Sequence, residues 1–222
     1  MNRVLVIVAS PRKGGNSDIL ADRAAECLSN SGVTVDKVYL SDININPCKG
    51  CLRCNILGRC VQNDDFGSFL EKLTASDAVV ISSPVYFYTI PGQLKTLIDR
   101  FRSVMHVSVL KERLDCKSTM KGKRNFLIIL VQGEPKGDDY KDAAHILKTF
   151  SKRVAKALKI SLLVAKGLPM KGQVKMDFDA LKSTFEKLSL PADKKYVLQR
   201  MRHNQKIIER VCKLSKALLD SQ

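Results

Sequence analysis

Short runs of apolar, mostly β-branched residues alternate along this chain with segments of helical periodicity, and no other feature restricts the fold as strongly. Each run is nearly continuous hydrophobe, as expected for a strand that is buried on both faces of a sheet. The predicted strands are residues 3–9, 34–40, 77–83, 125–133 and 160–166. Apolar residues at helical spacing between them predict helices over residues 20–28, 64–76, 94–105 and 140–158.

This alternation predicts an α/β fold, with a parallel sheet covered by helices on both faces. Five strands indicate a flavodoxin-like, doubly wound sheet of order 2-1-3-4-5, which binds ligands at the carboxyl ends of its strands. Residues 106–124 form an unusually long, basic connection. We predict one domain over residues 1–190 and a C-terminal helical extension, basic and amphipathic, over residues 191–222. Such an added apolar stripe usually packs on its own domain or on a sister subunit.

The formal net charge of +16 is concentrated toward the end of the chain, where residues 151–222 carry 17 Lys/Arg against 6 Asp/Glu. A surplus of this size favours an anionic partner, such as an acidic protein or an anionic cofactor. The simpler interpretation is a solvated, lysine-rich face. Nucleic acid is not an expected partner because the chain contains no recognised nucleic-acid motif.

The amino-terminal apolar stretch, residues 4–9, is too short for a signal peptide and is followed at once by Pro11, Arg12 and Lys13. No run of the chain reaches the length that is needed to span a bilayer. We therefore expect a cytoplasmic protein without membrane contact.

Four of the seven cysteines lie in one short loop, "CKGCLRCNILGRC", with C-x2-C-x2-C-x5-C spacing. Cytosolic thiols stay reduced, so clustered cysteines there are more often metal ligands or redox groups than disulfides. Short loops with repeated C-x2-C steps are typical of iron–sulfur clusters, whereas structural zinc more often joins separated segments. The loop therefore favours a cluster, with zinc or a vestigial thiol loop as alternatives. Cys27 and Cys212 fall in helical patterns and are expected to be small core residues.

Three loops at the predicted binding edge suit a mononucleotide with a flat heterocycle. The first strand ends in "SPRKGGNSD", where two glycines allow a sharp turn and the amino terminus of a helix suits a phosphate. This stretch matches neither the P-loop nor the G-x-G-x-x-G pattern, and a capped polar turn is the alternative. The third strand runs into the aromatic-rich "SPVYFYTIPGQLKTLIDR", and the fourth ends near Gly133. The aromatic residues could equally be ordinary packing residues.

These stretches closely resemble the NAD(P)H-dependent FMN reductase family of flavodoxin-like proteins over roughly residues 1–190. Within that family, "INPCKGCLRCNILGRCVQNDDF" resembles the iron–sulfur flavoproteins, which bind a 4Fe–4S cluster beside FMN. The resemblance implies that the FMN phosphate is held by Ser10, Arg12, Asn16 and Ser17. It implies that the ribityl chain and ring contact Pro84, Val85, Tyr86 and Phe87, with Gly133 nearby. It implies that the cluster is ligated by Cys48, Cys51, Cys54 and Cys60.

The first functional hypothesis is an electron-transfer flavoprotein that contains FMN and a 4Fe–4S cluster. The resemblance implies an acidic, ferredoxin-like donor and a small-molecule or quinone-like acceptor. It also implies a homodimer or higher homo-oligomer that brings the cluster of one protomer toward the flavin of its neighbour. No catalytic side chain is predicted, because the cofactors carry the redox chemistry.

Two other functions remain open. The alternative is an NAD(P)H-dependent FMN or quinone reductase without a functional cluster. A third hypothesis, a basic module that senses redox state through its thiols, rests only on the C-terminal lysines.

Overall fold

A computed structural model describes residues 3–220 and contains one five-stranded sheet and one separate two-stranded sheet. The strands are β1 (Arg3–Val8), β2 (Thr34–Tyr39), β3 (Ala78–Pro84), β4 (Met105–Leu110), β5 (Arg113–Ser118), β6 (Arg124–Val131) and β7 (Ala157–Ala165). The larger sheet is parallel throughout and has the order β2-β1-β3-β6-β7. The predicted flavodoxin-like order is therefore confirmed, since β4 and β5 lie outside this sheet.

Helices cover both faces of the sheet, as the buried strands require. They are α1 (Asn16–Ser29), α2 (Cys54–Leu57), α3 (Phe66–Thr74), α4 (Gly92–Arg100), α5 (Lys141–Arg153), α6 (Phe178–Lys187) and α7 (Lys194–Lys216). Val4, Val6 and Val8 of β1 belong to the core beneath α1 and α7. Leu5 and Ile7 point to the other face, where α3, α4 and α5 supply the core. Alternate residues of one strand thus fill two separate cores.

The basic connection predicted over residues 106–124 contains the antiparallel hairpin β4–β5. The helix predicted to end at residue 105 ends at Arg100, continues as a 3-10 turn and gives way to β4 at Met105. Leu158, predicted on a helix face, lies in β7. The sequence analysis also missed α6. Apolar residues near the end of an element fit a helix or a strand equally well, which explains why the helix was predicted to continue to residue 105.

The C-terminal helix α7 packs across α1, which is one of the two placements that its apolar stripe predicted. Its Ile207 and Val211 join the core that β1 and α1 form. Cys212 of α7 forms a disulfide with Cys27 of α1, and their Cα atoms are 5.6 Å apart. The two cysteines are therefore a covalent link between these helices, where the sequence analysis expected reduced core thiols.

Within residues 3–220, no helix combines the length and the apolar character that crossing a membrane requires.

Candidate functional site

A cavity of about 250 Å³ opens at the carboxyl edge of the parallel sheet. Its walls come from the loops that follow four strands, β1, β3, β6 and β7, which is where flavodoxin-like sheets bind ligands. The lining residues are Ser10, Arg12, Gly15, Asn16, Ser17, Pro84, Val85, Tyr86, Val131, Gly133, Leu168 and Pro169. All the residues that the sequence analysis assigned to FMN line this cavity except Phe87.

The loop after β1 turns tightly into α1. The N–H of Arg12 donates to Ser10 Oγ at 3.2 Å, and the N–H of Gly15 donates to the carbonyl of Arg12 at 3.0 Å. A Cβ on Gly15 would lie 2.9 Å from that carbonyl oxygen, so only glycine fits there. The first N–H groups of a helix have no partner within the helix, and its dipole is positive at that end. The start of α1 therefore offers an anion site at the floor of the cavity.

Asn16, a predicted phosphate residue, uses its side chain to join two loops. Its Nδ2 donates to the carbonyls of Leu168 at 3.0 Å and Met170 at 2.6 Å, and its Oδ1 accepts from the N–H of Val174 at 3.0 Å. Because both N–H groups of the amide are used in this way, the backbone N–H is the donor of Asn16 that remains for an anion.

The buried carboxylate of Asp18 accepts hydrogen bonds that hold the same loop in place. Asp18 accepts from the N–H of Gly14 at 2.8 Å and from Lys37 Nζ at 2.8 Å. Burial opposes the charge of Asp18, but these hydrogen bonds outweigh it and lower the pKa of the carboxyl. Burial likewise opposes the charge of Lys37, yet its bonds to Asp18, Asp22 and Tyr39 raise its pKa. The negative charge of Asp18 beside the anion site is thereby paired with the positive charge of Lys37.

The aromatic loop after β3 forms a tight turn at the mouth of the cavity. Tyr86 and Thr89 exchange backbone hydrogen bonds of 2.9 and 3.0 Å, and Phe87 and Tyr88 between them have φ angles of 46° and 67°. Phe87 is 93% exposed and touches Tyr88 edge to face, so it lies outside the cavity that Tyr86 lines. The turn presents two aromatic rings to the outside of the site.

The loop after β7 is a wall that the sequence analysis missed. Leu168 and Pro169 line the cavity from this side, and a Cβ on Gly133 would lie 3.4 Å from Pro169 Cβ. The sequence does contain a signal for it, since Gly167 and Pro169 follow the fifth apolar run directly. Glycine and proline at the carboxyl end of a strand are typical of binding loops in this kind of sheet.

The four loop cysteines lie around a second, smaller cavity of about 30 Å³. Cys48, Cys51, Cys54 and Cys60 all line it, together with Arg100 and Arg102 at the carboxyl end of α4. No three His, Cys, Asp or Glu side chains in the described part of the chain, residues 3–220, are arranged to hold a metal ion. The loop thus gathers four thiols at one place without presenting a formed coordination site.

A buried ion pair anchors this cysteine loop. Arg100 binds Asp64 through both of its terminal nitrogens, and the side chains of the two residues are each 1% exposed. Arg100 Nη1 also donates to the carbonyl of Asn46 at 2.8 Å, and Nη2 lies 3.3 Å from Cys60 Sγ. Burial opposes the charge of Arg100, but Asp64 and Cys60 raise its pKa. One guanidinium therefore ties both ends of the cysteine loop to α4 and donates to a cysteine sulfur.

The two cavities lie at opposite ends of α4. Residues 40–45 run alongside α4, past Gln93, Thr96 and Leu97, and carry the cysteine loop to Arg100. The residues of α4 span about 13 Å at 1.5 Å each, and the aromatic loop precedes the other end of this helix. The chain after β2 therefore doubles back along α4 and brings the cysteine loop to the carboxyl end of this helix.

The sequence of this chain is similar to one family profile and to several iron–sulfur flavoproteins. A family profile described as NADPH-dependent FMN reductase matches residues 2–134. An iron–sulfur flavoprotein of Archaeoglobus fulgidus is 38% identical over 133 residues, which cover 60% of this chain and 56% of the relative. One of Methanosarcina thermophila is 33% identical over 124 residues, which cover 55% of this chain and 65% of the relative. The matched part thus spans less than two thirds of the length of these relatives.

Solved structures share the fold over nearly the whole chain. An NAD(P)H:quinone oxidoreductase from Methanothermobacter marburgensis superposes with a TM-score of 0.65 at 14% identity, covering 96% of this chain and 97% of that one. An FMN-dependent NADH-azoreductase from Bacillus anthracis, solved in complex with FMN, reaches 0.62 at 17% identity, covering 97% of this chain and 100% of that one. The family profile covers more than half of the chain and includes three of the four cavity loops. The chain therefore belongs to the NADPH-dependent FMN reductase family of FMN-dependent oxidoreductases.

Proposed function

We propose that this protein is an electron-transfer flavoprotein that contains FMN and a 4Fe–4S cluster. It passes electrons between a ferredoxin-like donor and a small or quinone-like acceptor. One observation carries the proposal: all four loop cysteines line one cavity, together with Arg100 and Arg102. The relatives of this chain that are named iron–sulfur flavoproteins support it.

The residues of the larger cavity fit FMN. The backbone N–H groups at the start of α1, with Ser10, Arg12 and Ser17, supply donors and positive charge for the phosphate. Val85, Leu168 and Pro169 supply apolar surface for the ring system. FMN when bound exchanges electrons one or two at a time, which is the chemistry that the protein itself lacks. Riboflavin is the matched test ligand, since it differs by the phosphate alone; we expect it to bind much more weakly than FMN.

The donor set of the cysteine loop fits a 4Fe–4S cluster, which takes four thiolates. Gly50 and Gly58 have φ angles of 63° and 66°, so the backbone can wrap around a ligand there. Arg100 and Arg102 bring positive charge to a site that would hold an anionic cluster. Such a cluster when bound transfers one electron at a time.

Anaerobic purification followed by iron and sulfide analysis and an absorption spectrum tests the cluster. We expect about four irons per chain, as a 4Fe–4S cluster requires, and a broad iron–sulfur absorption beneath the flavin bands. Cys54→Ser should remove the iron, whereas Cys116→Ser, at a free cysteine outside the loop, should retain it. A protein that keeps FMN but stays free of iron after reconstitution would contradict the proposal.

We further propose that copies of this chain associate so that the cysteine loop of one faces the flavin cavity of another. Within one chain the two cavities are separated by the length of α4. Each site also has an exposed apolar side chain beside it, Ile56 (87% exposed) at the cysteine loop and Phe87 at the flavin cavity. Leu52 and Leu57 are exposed on the same loop as Ile56, and Tyr88 is exposed next to Phe87. Grouped exposed apolar side chains of this kind often mark interaction surfaces.

Light scattering tests this association. Ile56→Glu should shift the protein toward monomer and slow electron transfer between the sites. Val109→Glu, which adds the same charge to an exposed side chain of the β4–β5 hairpin, is the matched control. If Val109→Glu gives monomer and Ile56→Glu does not, the interface lies at the hairpin and the proposal is wrong.

The proposed donor is an acidic, ferredoxin-like protein. Lys49, Arg53 and Arg59 are exposed on the cysteine loop, so a negatively charged partner would be attracted to the place where one-electron transfer is expected.

A reductase without a functional cluster is the second candidate, favoured by the NADPH dependence in the description of the family. Rapid-mixing experiments distinguish the two. If iron-free protein is reduced by NADPH as fast as protein with its cluster, the reductase is the correct function. If NADPH does not bleach the flavin and reduced ferredoxin does, the electron-transfer function is supported.

A further inference from the structure

We propose that helix α7 sets the affinity of the protein for FMN, with Arg200 and Asn204 as positioning residues. They act through residues 166–175, the segment that follows β7 and forms the fourth wall of the cavity. The inference rests on FMN as the ligand of that cavity and does not depend on the cluster.

The start of this segment is bound directly by α7. Arg200 Nη2 donates to the carbonyl of Gly167 at 2.5 Å, and His203 Nε2 lies 3.0 Å from the carbonyl of Lys166. These two carbonyls are the first after β7, immediately before Leu168 and Pro169 line the cavity. Side chains of α7 thus determine the direction in which the chain leaves the sheet.

Gly167 has no Cβ, and this allows the guanidinium of Arg200 to approach its backbone closely. Its φ of +70° is a conformation that favours glycine, and a Cβ at this position would lie 2.5 Å from Arg200 Nη2. A Cβ at position 167 would therefore force the guanidinium of Arg200 out of its present position.

The far end of the segment is bound from the same helix. Asn204 Nδ2 donates to the carbonyl of Gln173 at 2.9 Å, and Gln173 Nε2 donates back to the carbonyl of Gly167 at 2.9 Å. Gln173 and Asn204 are 1% and 2% exposed. On the opposite side, Asn16 binds the segment through Leu168, Met170 and Val174. The wall of the cavity is therefore held between α7 and α1.

A segment with left-handed glycines at 167 and 172 has many conformations available to it in isolation. Ordering such a segment when a ligand binds costs affinity, and a segment that is ordered in advance avoids that cost. The contacts from α7 supply this prior order. All of them lie beyond residue 134, where the family profile ends, so they are features of this chain and not of the matched region.

The experiment is a fluorescence titration of FMN into flavin-free, full-length protein. Arg200→Ala removes a charged hydrogen bond, and we expect the Kd for FMN to rise by about tenfold. Arg200→Lys should restore most of the affinity. Arg210→Ala, at an exposed arginine of the same helix, should leave the Kd unchanged. Thermal melting of each flavin-free variant separates loss of affinity from loss of folding.

Gly167→Ala tests the same contact from the other side and should also weaken FMN binding. Because both changes disturb one contact, the double variant Gly167→Ala/Arg200→Ala should lose less affinity than the sum of the two single effects. The strain of alanine at a φ of +70° is the part of the Gly167→Ala effect that remains in both backgrounds. Wild-type affinity in both Arg200→Ala and Asn204→Ala would overturn the inference, as would an equal loss in Arg210→Ala. If the wild-type protein itself fails to bind FMN, the proposed function fails as well, and that result is distinct from the others.

Discussion

At the scale of single residues, Asp64 and Arg100 decide how the cysteine loop responds to acid. Burial opposes the charge of Asp64, but hydrogen bonds from Arg100 and from the N–H groups of Asn46 and Phe66 lower its pKa to about 2. Because this pKa lies below the ordinary value of 3.8, the carboxylate stabilises the fold above pH 4. The contribution, about 2 kcal/mol, is lost as the pH falls toward 2.

Denaturant unfolding of Asp64→Asn at several pH values measures this effect. The variant should be less stable than wild type at pH 7, by about 3 kcal/mol, since it leaves Arg100 buried without its partner. The difference should shrink as the pH falls from 4 toward 2. Asp99→Asn, which breaks an exposed pair with Lys95, is the control and should cost less than about 1 kcal/mol. A difference between wild type and Asp64→Asn that is independent of pH would contradict the explanation.

Arg100 also has a consequence for the proposed cluster, because its Nη2 lies 3.3 Å from Cys60 Sγ. Hydrogen bonds to cysteine sulfurs raise the reduction potential of a cluster, since they stabilise its more negative, reduced form. Arg100→Lys keeps the charge and loses the forked geometry, so the midpoint potential should become more negative. A potentiometric titration followed by electron paramagnetic resonance measures it, with Arg102→Lys as the control. An unchanged potential in protein with full iron content would exclude this role.

At the scale of whole elements, the disulfide between Cys27 and Cys212 fastens α7 to α1. A cross-link between residues so far apart in sequence restricts the unfolded chain, and its loss typically costs about 2–4 kcal/mol. Cys212→Ser should lower the free energy of unfolding by about that amount. Thiol titration of the denatured protein checks the link itself: five thiols should react before reduction and seven after it. Seven reactive thiols without a reductant would show that the cysteines are not joined.

At the scale of the whole molecule, the net charge of +16 should govern how fast the proposed acidic donor reduces the protein. Opposite charges steer association at low salt, and this steering weakens as the Debye length shortens. The second-order rate of reduction by an acidic ferredoxin should therefore fall about tenfold or more between ~20 mM and ~500 mM salt. Reduction by dithionite, a small reductant that needs no docking surface, is the comparison. A rate with ferredoxin that does not depend on salt would exclude electrostatic steering.

Much of the fold could be predicted from the sequence because it depends on local pattern. Apolar runs such as residues 78–83 are buried on both faces, a pattern typical of a strand inside a parallel sheet. The same reasoning located the loops after β1 and β3, since the carboxyl ends of parallel strands must meet at one edge. The exposed position of Phe87 could not be predicted, because the direction of a side chain in a tight turn depends on φ and ψ, which the residue type does not reveal.

The sequence by itself therefore determined the parallel sheet, its order and most of the residues that line the flavin cavity. Only the tertiary structure decided that Arg200 meets Gly167, that Arg100 meets Cys60 and that Cys27 meets Cys212. Burial and periodicity act within a single element and leave a trace in its own residues. Contacts between distant segments depend on how elements pack against one another, and packing is a property of the assembled molecule that no local pattern records.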